Sequence, residues 1–223
     1  MDSIMYQNIL KQLGRQLNNF FIDVDLSLIE DKIGEAYGRC MIALSASNNK
    51  YLNPDGIPQF SLAHSGCWSI FLYYLSNCLR MNLKELADRI YYLNKILHSV
   101  EWYYEVELPN HFMVEHPIGS VLGRAIYGDY LFIYQGVTIG GNISIDEGKL
   151  YYPVLGENVT FFSNAKVLGN AHIGNNVILG ANSYVINEDI PDNSIVFGAS
   201  PNLIIKHDVE KIEKYKGKIW KQN

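Results

Sequence analysis

A histidine that directly follows a carboxylate is the pair in this sequence with the clearest capacity for chemistry. Glu115 and His116 lie in the stretch VEHPIG, among small residues. An imidazole titrates nearest to neutral pH, and a neighbouring carboxylate can orient the ring and favour its protonated form. His116 is therefore a candidate general base, although a structural or surface role is more common for a histidine taken alone. The other histidines are predicted to have the structural or surface role usual for a lone histidine: His64, His98, His111, His172 and His207.

The element that must position His116 is indicated by a repeat of six residues. From Leu155 the chain reads LGENVT, FFSNAK, VLGNAH, IGNNVI, LGANSY, VINEDI, and an apolar residue opens each unit. This period fits neither a helix nor an ordinary strand, and it is the signature of a parallel β-helix. The opening residues should point to the axis of the coil: Phe161, Val167, Ile173, Leu179 and Val185. A purely structural solenoid, such as an adhesin, is the alternative.

The patterns along the chain divide it into three segments. Apolar residues at helical spacing predict an α-helical domain over residues 1–99. Residues 100–206 should form the β-helix, interrupted by a protruding polar loop at 142–152. Residues 207–223 are Lys-rich and are predicted to form a helical tail that covers the open end of the coil.

One helix boundary can be placed from a capping pattern. Asn82 precedes an apolar-periodic run from Leu83 to Leu97, and Glu85 follows it three residues later. Asn and Glu at this spacing form a capping-box arrangement. We therefore predict that Asn82 is the N-cap of this helix.

The composition argues against several classes of protein. The chain has 223 residues and a net charge of -5 without a basic stripe, which argues against a nucleic acid partner. Its most apolar run is too short and too interrupted to predict a membrane span. Three cysteines without C-x-x-C spacing predict reduced thiols and a cytoplasmic location: Cys40, Cys67 and Cys78.

The residues around His116 carry a family resemblance. The stretch EHPIGSVLGRAIYGDYLFIYQGVTIGG resembles the catalytic segment of serine O-acetyltransferases, in which an Asp-His pair precedes a Gly-rich coil and a V-T-L-G-G run. SNAKVLGNAHIGNNVILGANSYVI is similar to the later coils of that family, and the resemblance covers about residues 55–205. It implies an α+β fold, with an N-terminal α-helical domain followed by a left-handed parallel β-helix of hexapeptide repeats. It also implies acetyl-CoA as co-substrate, bound between the neighbours of a homotrimer that can pair into a dimer of trimers.

The functional positions of the family can be carried onto this sequence one at a time. His116 falls on the catalytic histidine, and Glu115 falls on an aspartate that contacts the acceptor. Glu101 falls on an aspartate that pairs with the catalytic histidine, and Asp55 falls on a further acceptor-binding aspartate. The backbone groups that meet the acetyl-CoA arm fall at Gly141, Ser163 and Ala181. No Cys or Ser adjoins His116 in the sequence, so we predict direct transfer to the acceptor hydroxyl without a covalent intermediate.

One departure from the family pattern bears on the acceptor. The family has Arg-His-Pro after its loop, and the Arg holds the serine carboxylate, whereas this chain has Tyr151-Tyr152-Pro153. Tyrosine cannot replace the bidentate capture of a carboxylate by a guanidinium, but its ring suits the apolar face of a sugar. We therefore predict an acetyl-CoA-dependent O-acetyltransferase that acts on a sugar or glycan of surface polysaccharide. A serine O-acetyltransferase of cysteine biosynthesis and a non-catalytic scaffold derived from it stay open as alternatives.

No metal is predicted at this site. The hexapeptide carbonic anhydrases need three histidines for zinc, and only His116 is suitably placed here. The expected substrates are acetyl-CoA and an acceptor that is either a small molecule or a glycan, and no metal cofactor is expected.

Overall fold

Five α-helices and sixteen short strands make up the protein in a computed structural model, which describes residues 1–221. The helices are Ser3–Phe20 (α1), Glu30–Ala46 (α2), Ser65–Leu79 (α3), Lys84–His98 (α4) and Val209–Ile219 (α5). Two 3-10 turns, at Leu26–Ile29 and Pro54–Gly56, lie among the first helices. The first four helices precede every strand, so a helical region leads into a β-rich region.

Helix α3 is the centre of the helical region because its sequence is apolar on almost every side. The run CWSIFLYYL within it is buried throughout, and α3 packs between α2 and α4. A helix that is apolar all round needs cover on all sides. Helix α1 is amphipathic by contrast, and it buries a single stripe: Ile9, Leu13, Gly14 and Leu17. The outer helices thus shield α3 and keep their polar faces in water.

The predicted cap of α4 at Asn82 is wrong. The helix begins at Lys84, and no side chain caps it at the preceding Leu83. The backbone N–H groups of Asn82 and Leu83 both donate to the carbonyl of Leu79, at 3.2 and 2.9 Å. Asn82 therefore belongs to the turn that ends α3. This turn leads straight into α4, so Asn82 does not take the N-cap position.

The strands of the β-rich region form three faces of a parallel coil. Face A contains β1 (Glu101–Trp102), β3 (Val121–Leu122), β6 (Thr138–Gly140), β11 (Lys166–Leu168) and β14 (Tyr184–Ile186). Face B contains β4 (Ile126–Tyr127), β9 (Val154–Leu155) and β12 (His172–Ile173). Face C contains β2 (Phe112–Val114), β5 (Leu131–Ile133), β10 (Thr160–Phe161), β13 (Ile178–Leu179) and β15 (Ser194–Ala199). The chain passes from C to A to B in each turn.

The inward positions of the coil follow the six-residue period, as predicted. All five opening residues are buried: Phe161, Val167, Ile173, Leu179 and Val185. Each lies beside its equivalent one turn away, as the pairs Phe161–Leu179 and Val167–Val185 show. Burying each such side chain contributes about 1.5–3 kcal/mol. The stacked column is therefore what holds the three faces together.

Asparagine makes the tight corner between faces B and C. Asn158, Asn176 and Asn193 have φ of 56°, 55° and 56°. Asparagine tolerates this left-handed backbone better than most residues other than glycine. The side chains also form a ladder, with Asn158 donating to Asn176 at 2.8 Å and Asn176 to Asn193 at 3.1 Å. The repeated Asn thus fixes one corner of every later coil.

An antiparallel hairpin interrupts the coil where a protruding loop was predicted. Strands β7 (Asn142–Ile143) and β8 (Leu150–Tyr151) form it, between β6 and β9. The hairpin therefore leaves the coil where face A passes into face B.

The last helix does not cover the open end of the coil, so that prediction is wrong. Helix α5 lies along face C, where Ile212 packs against Ile178 and Ile195. The free edge of β15 is covered instead by β16 (Asn202–His207), which pairs with it antiparallel. Face C has outward apolar side chains that need cover, and this explains the course of α5.

The end of α5 returns to the helical region. Trp220 forms an antiparallel bridge with Ser47, and the Asn48 amide donates to the carbonyls of Gly217 and Trp220, each at 2.8 Å. One apolar cluster accordingly runs through the helices and the coil. The division into domains 1–99, 100–206 and 207–223 stays a prediction, and residues 222–223 lie outside the described part of the chain.

Candidate active site

His116 lies directly after β2, where face C passes into face A. We name this place the C–A corner, and its levels in successive coils are residues 115–116, 134–135, 162–163 and 180–181. The backbone of His116 is left-handed, with φ of 53°, and its side chain is 75% exposed. The coil thus turns at His116 and leaves the imidazole accessible to substrates.

Glu115 supplies the negative charge of this corner. Its Oε1 is 3.9 Å from His116 Nε2, which is an ion-pair distance for a protonated ring but too long for a hydrogen bond. Burial, the Tyr215 hydroxyl and the charge of Glu115 together raise the pKa of Tyr134. The hydroxyls of Tyr134 and Tyr215 are 3.0 Å apart, and these residues border a cavity of about 340 Å³ with Glu115. One side of the corner is therefore a tyrosine-lined hollow.

Glu101 is held by the helical region. On β1, its carboxylate accepts a hydrogen bond from Tyr91 and forms an ion pair with Lys95, both on α4. Burial raises the pKa of Glu101. Among residues 1–221, no hydrogen bond or ion pair joins Glu101 to His116. The predicted catalytic pairing of these two residues stays a prediction.

His64 also faces the C–A corner, and the sequence did not single it out. Its Nδ1 accepts a hydrogen bond from the Cys67 N–H at 3.2 Å, which caps α3. Burial and then the charge of His116 lower the pKa of His64, while Glu115 acts in the opposite direction. His64 precedes His116 by 52 residues in another element, so no local motif could have linked them.

The hairpin and the coil beneath it form the A–B corner, named for the faces that meet there. The Tyr152 ring lies against Gly141, since a Cβ built on this glycine would be 2.8 Å from Tyr152 Cε1. Tyr151 donates a hydrogen bond to Glu147, and the Lys149 ammonium lies 4.8 Å from the centre of the Tyr151 ring. Both predicted acceptor-binding tyrosines are thus fixed at this corner.

Arg124 is a further residue of the A–B corner that sequence analysis did not single out. It follows the Leu122–Ile139 pair of β3 and β6 by two residues, so it is level with Gly141. Its side chain is exposed, and among residues 1–221 no carboxylate lies within ion-pair distance of its guanidinium. The corner therefore carries a cation available to an anionic ligand.

Face A separates the two corners within one chain. Strand β3 runs between His116 and Arg124, with seven residues between them in the sequence. A face of about five extended residues is roughly 16 Å wide, at ~3.3 Å per residue. One small molecule therefore cannot touch both corners of the same chain.

The predicted acetyl-CoA positions are divided between the corners. Ser163 and Ala181 lie in the column of His116 at the C–A corner, whereas Gly141 lies at the A–B corner. Ala181 borders an apolar groove of about 240 Å³, whose other members include Phe162, Ile178, Ile195, Phe197 and Tyr215. This groove gives the C–A corner an apolar surface three coil levels away from His116.

Asp55 lies apart from these contacts. It is exposed at the 3-10 turn Pro54–Gly56, with φ of 55°. Lys221 steadies this turn by donating to Asn53 Oδ1 and the Gly56 carbonyl, both at 3.2 Å. The role of Asp55 toward an acceptor stays a prediction.

Residues 1–221 contain neither a metal-binding cluster nor a membrane-spanning helix. Among residues 1–221, no group of three or more His, Cys, Asp or Glu side chains is arranged to hold a metal ion. None of the described helices combines the length and apolarity needed to cross a bilayer. What the two corners offer is acid–base, hydrogen-bonding and ion-pairing chemistry.

Comparison with known proteins identifies the class of this fold. The family model for bacterial transferase hexapeptide (six repeats) matches residues 152–187. The structure of Neisseria gonorrhoeae serine acetyltransferase aligns with a TM-score of 0.73 at 23% identity, over 92% of this chain and 81% of that one. A serine acetyltransferase in complex with CoA aligns with a TM-score of 0.65 at 23% identity, over 81% and 75% of the two chains. The protein has the hexapeptide-repeat acyltransferase fold, and the predicted fold class is confirmed.

Sequence relatives identify the family. The serine acetyltransferase of Synechococcus elongatus is 40% identical over 150 residues, which span 66% of this chain and 60% of that protein. The serine acetyltransferase of Staphylococcus aureus strain N315 is 33% identical over 153 residues, spanning 68% and 70% of the two. The chain therefore belongs to the serine acetyltransferase family, as the resemblance predicted. The first of these alignments covers less than two thirds of the relative's length.

Proposed function

We propose that this protein transfers the acetyl group of acetyl-CoA to the hydroxyl of serine, with His116 as the general base. The observation that carries the proposal is the C–A corner, where an exposed imidazole follows β2 and has a carboxylate 3.9 Å from its Nε2. Serine is the acceptor that the names of the relatives indicate. It replaces the polysaccharide acceptor of the sequence-based prediction as the first candidate.

The reaction moves one proton twice. His116 takes the proton of the acceptor hydroxyl while its oxygen attacks the thioester carbonyl and forms the new C–O bond. The tetrahedral intermediate then breaks its C–S bond, and the imidazolium returns the proton to the departing CoA sulfur. Base catalysis of this kind contributes about 10²–10⁴-fold, and holding both substrates in line adds to it. Glu115 favours the imidazolium by its charge.

The carboxylate of serine needs a cation, and we assign that role to Arg124. Tyr151 stands where the family has an arginine, but Arg124 lies at the same A–B corner, level with Gly141. A guanidinium binds a carboxylate through two parallel hydrogen bonds. In this proposal the cation has moved from the hairpin to the coil beneath it.

His116 and Arg124 can meet on one serine only if two copies of the chain associate. A ring of copies joins different patches of neighbouring subunits, so the C–A corner of one can receive the A–B corner of the next. Such an interface would cover exposed apolar side chains beside both corners: Ile118, Val121 and Ile126. The homotrimer implied by the family resemblance meets this requirement, and its pairing into a hexamer stays a prediction.

A sugar hydroxyl is the second candidate acceptor. The tyrosines favour it, because Tyr51, Tyr134 and Tyr215 line the cavity beside Glu115 and Tyr152 is 37% exposed at the other corner. Aromatic rings of this kind pack against sugar rings and bond their hydroxyl edges. The acceptor must therefore be tested directly.

The test is the release of CoA thiol from acetyl-CoA in the presence of separate acceptors. We expect turnover with L-serine, none with L-alanine, which lacks the hydroxyl, and a roughly tenfold to hundredfold lower kcat/KM with L-serine methyl ester, which lacks the carboxylate. Turnover with neutral sugars and none with L-serine would overturn the serine proposal in favour of the second candidate. Turnover with neither would overturn both.

A further inference from the structure

The helical region contributes a histidine to the C–A corner, and its tautomer is set by the fold. His64 Nδ1 accepts the hydrogen bond of the Cys67 N–H at 3.2 Å, at the start of α3. A nitrogen that accepts carries no proton, so the neutral ring of His64 must carry its proton on Nε2. Among residues 1–221, no group accepts a hydrogen bond from this Nε2–H. The donor is therefore available to a bound molecule.

The ring of His64 lies beside the residues that carry the chemistry. A Cβ built on Gly66 would lie 3.2 Å from His64 Cε1 and 3.3 Å from Val114 Cγ2. The space that a Cβ on Gly66 would occupy therefore lies between His64 and Val114. Glu115 and His116 are the next two residues after Val114 in the sequence. The edge of the ring that faces Val114 bears Cε1, and Nε2 is the next atom of the ring.

Burial is the main reason why the pKa of His64 lies below its ordinary value, and the charge of His116 adds to this effect. A backbone hydrogen bond and the charge of Glu115 act in the opposite direction. The net shift favours the neutral ring. His116 becomes an imidazolium while the hydroxyl is being acylated, and a second positive charge beside it would oppose that step. A neutral donor does not.

We propose that His64 is an acceptor-binding residue, which donates its Nε2–H to an oxygen of the acceptor held against His116. The inference rests on the proposed function, since it concerns the acceptor of that same site. It assigns to the helical region a part in substrate recognition besides its structural one. His64 would orient the acceptor, while His116 moves the proton.

Two substitutions separate the two nitrogens of the ring. His64→Asn places an oxygen near the position of Nδ1, and asparagine is a favoured N-cap residue, so the cap of α3 is kept and the Nε2 donor is lost. His64→Gln places an amide N–H near the position of Nε2, so the donor is kept and the cap is lost. The effects on acceptor binding and on stability should therefore separate.

The experiment measures Tm and steady-state constants for the full chain and both variants. We expect His64→Asn to keep the wild-type Tm and the KM for acetyl-CoA while its KM for the acceptor rises roughly tenfold, as for one lost hydrogen bond. His64→Gln should lower Tm and keep the acceptor KM within about threefold of wild type.

The reverse pattern would overturn the proposal. If His64→Asn has the acceptor KM of the wild type, His64 is a helix cap alone, and the proposed function is unaffected. If the wild-type protein turns over no acceptor, the proposed function fails and this inference fails with it. The two failures are therefore distinguished by the wild-type control.

Discussion

The two corners that border face A are built differently. The C–A corner gathers two histidines and a carboxylate, His116, His64 and Glu115, and two different parts of the chain supply them. The A–B corner carries a guanidinium and a phenol ring, those of Arg124 and Tyr152. Under the proposed function, one chain carries both halves of a site and keeps them apart by the width of face A.

The coil between the corners carries the largest predicted effect. Val167→Asp would put a charge without a partner into the stacked column of face A, at a cost of several kcal/mol. Both corners depend on this column, so acetyl transfer should be lost together with the cooperative unfolding transition in urea. Lys166→Ala, one position earlier and pointing outward, is the control and should unfold like the wild type. A fully stable Val167→Asp protein would contradict the inward assignment.

The C–A corner should lose the chemical step when its imidazole is removed. His116→Ala is expected to lower kcat by at least about 100-fold while acetyl-CoA still binds, because the missing group acts only on the acceptor proton. His172→Ala is the matched control, since His172 is also exposed on the coil and lies 2.9 Å from a carboxylate of Asp189. Near-normal kcat in the His116 variant would discard the mechanism.

The A–B corner should affect binding rather than chemistry. Arg124→Ala is expected to raise the KM for L-serine by roughly tenfold to a hundredfold, as for a lost charge-assisted pair, with kcat less affected. Lys149→Ala removes a neighbouring cation that lies over Tyr151, and it should leave this KM unchanged. If instead Lys149 controls the KM for serine, the carboxylate binds to the hairpin and the assignment of Arg124 is wrong.

What the sequence could predict divides along the same lines as the molecule. The six-residue period predicted the coil and its inward column, since each inward residue repeats a position already seen one turn before. His116 was predicted to be the base because the stretch that begins at Glu115 resembles the catalytic segment of serine O-acetyltransferases. The course of α5 along face C could not be predicted, because it depends on outward apolar residues from separate coils.

Contacts between the helices and the coil were the other gap. The helical region supplies His64 to the C–A corner, and it supplies Tyr91 and Lys95 as the partners of Glu101. No local sequence pattern reveals how these helices are arranged in space. The predicted Asn82 cap was wrong for a related reason. The backbone N–H of Asn82 donates to the Leu79 carbonyl in the turn that ends α3, so Asn82 does not begin α4. Local rules describe repeats well and long-range packing poorly.

The division of the site between two copies is tested most directly by mixing two variants. His116→Ala and Arg124→Ala chains, co-expressed with different tags and purified through both, would form mixed assemblies. If each site takes His116 from one copy and Arg124 from the next, every trimer that contains both variants has one intact site in three, or about a third of the sites. Activity at limiting L-serine should then rise to about a third of wild type, well above either variant alone. Mixed assemblies with no more activity than the two separate variants would contradict the account.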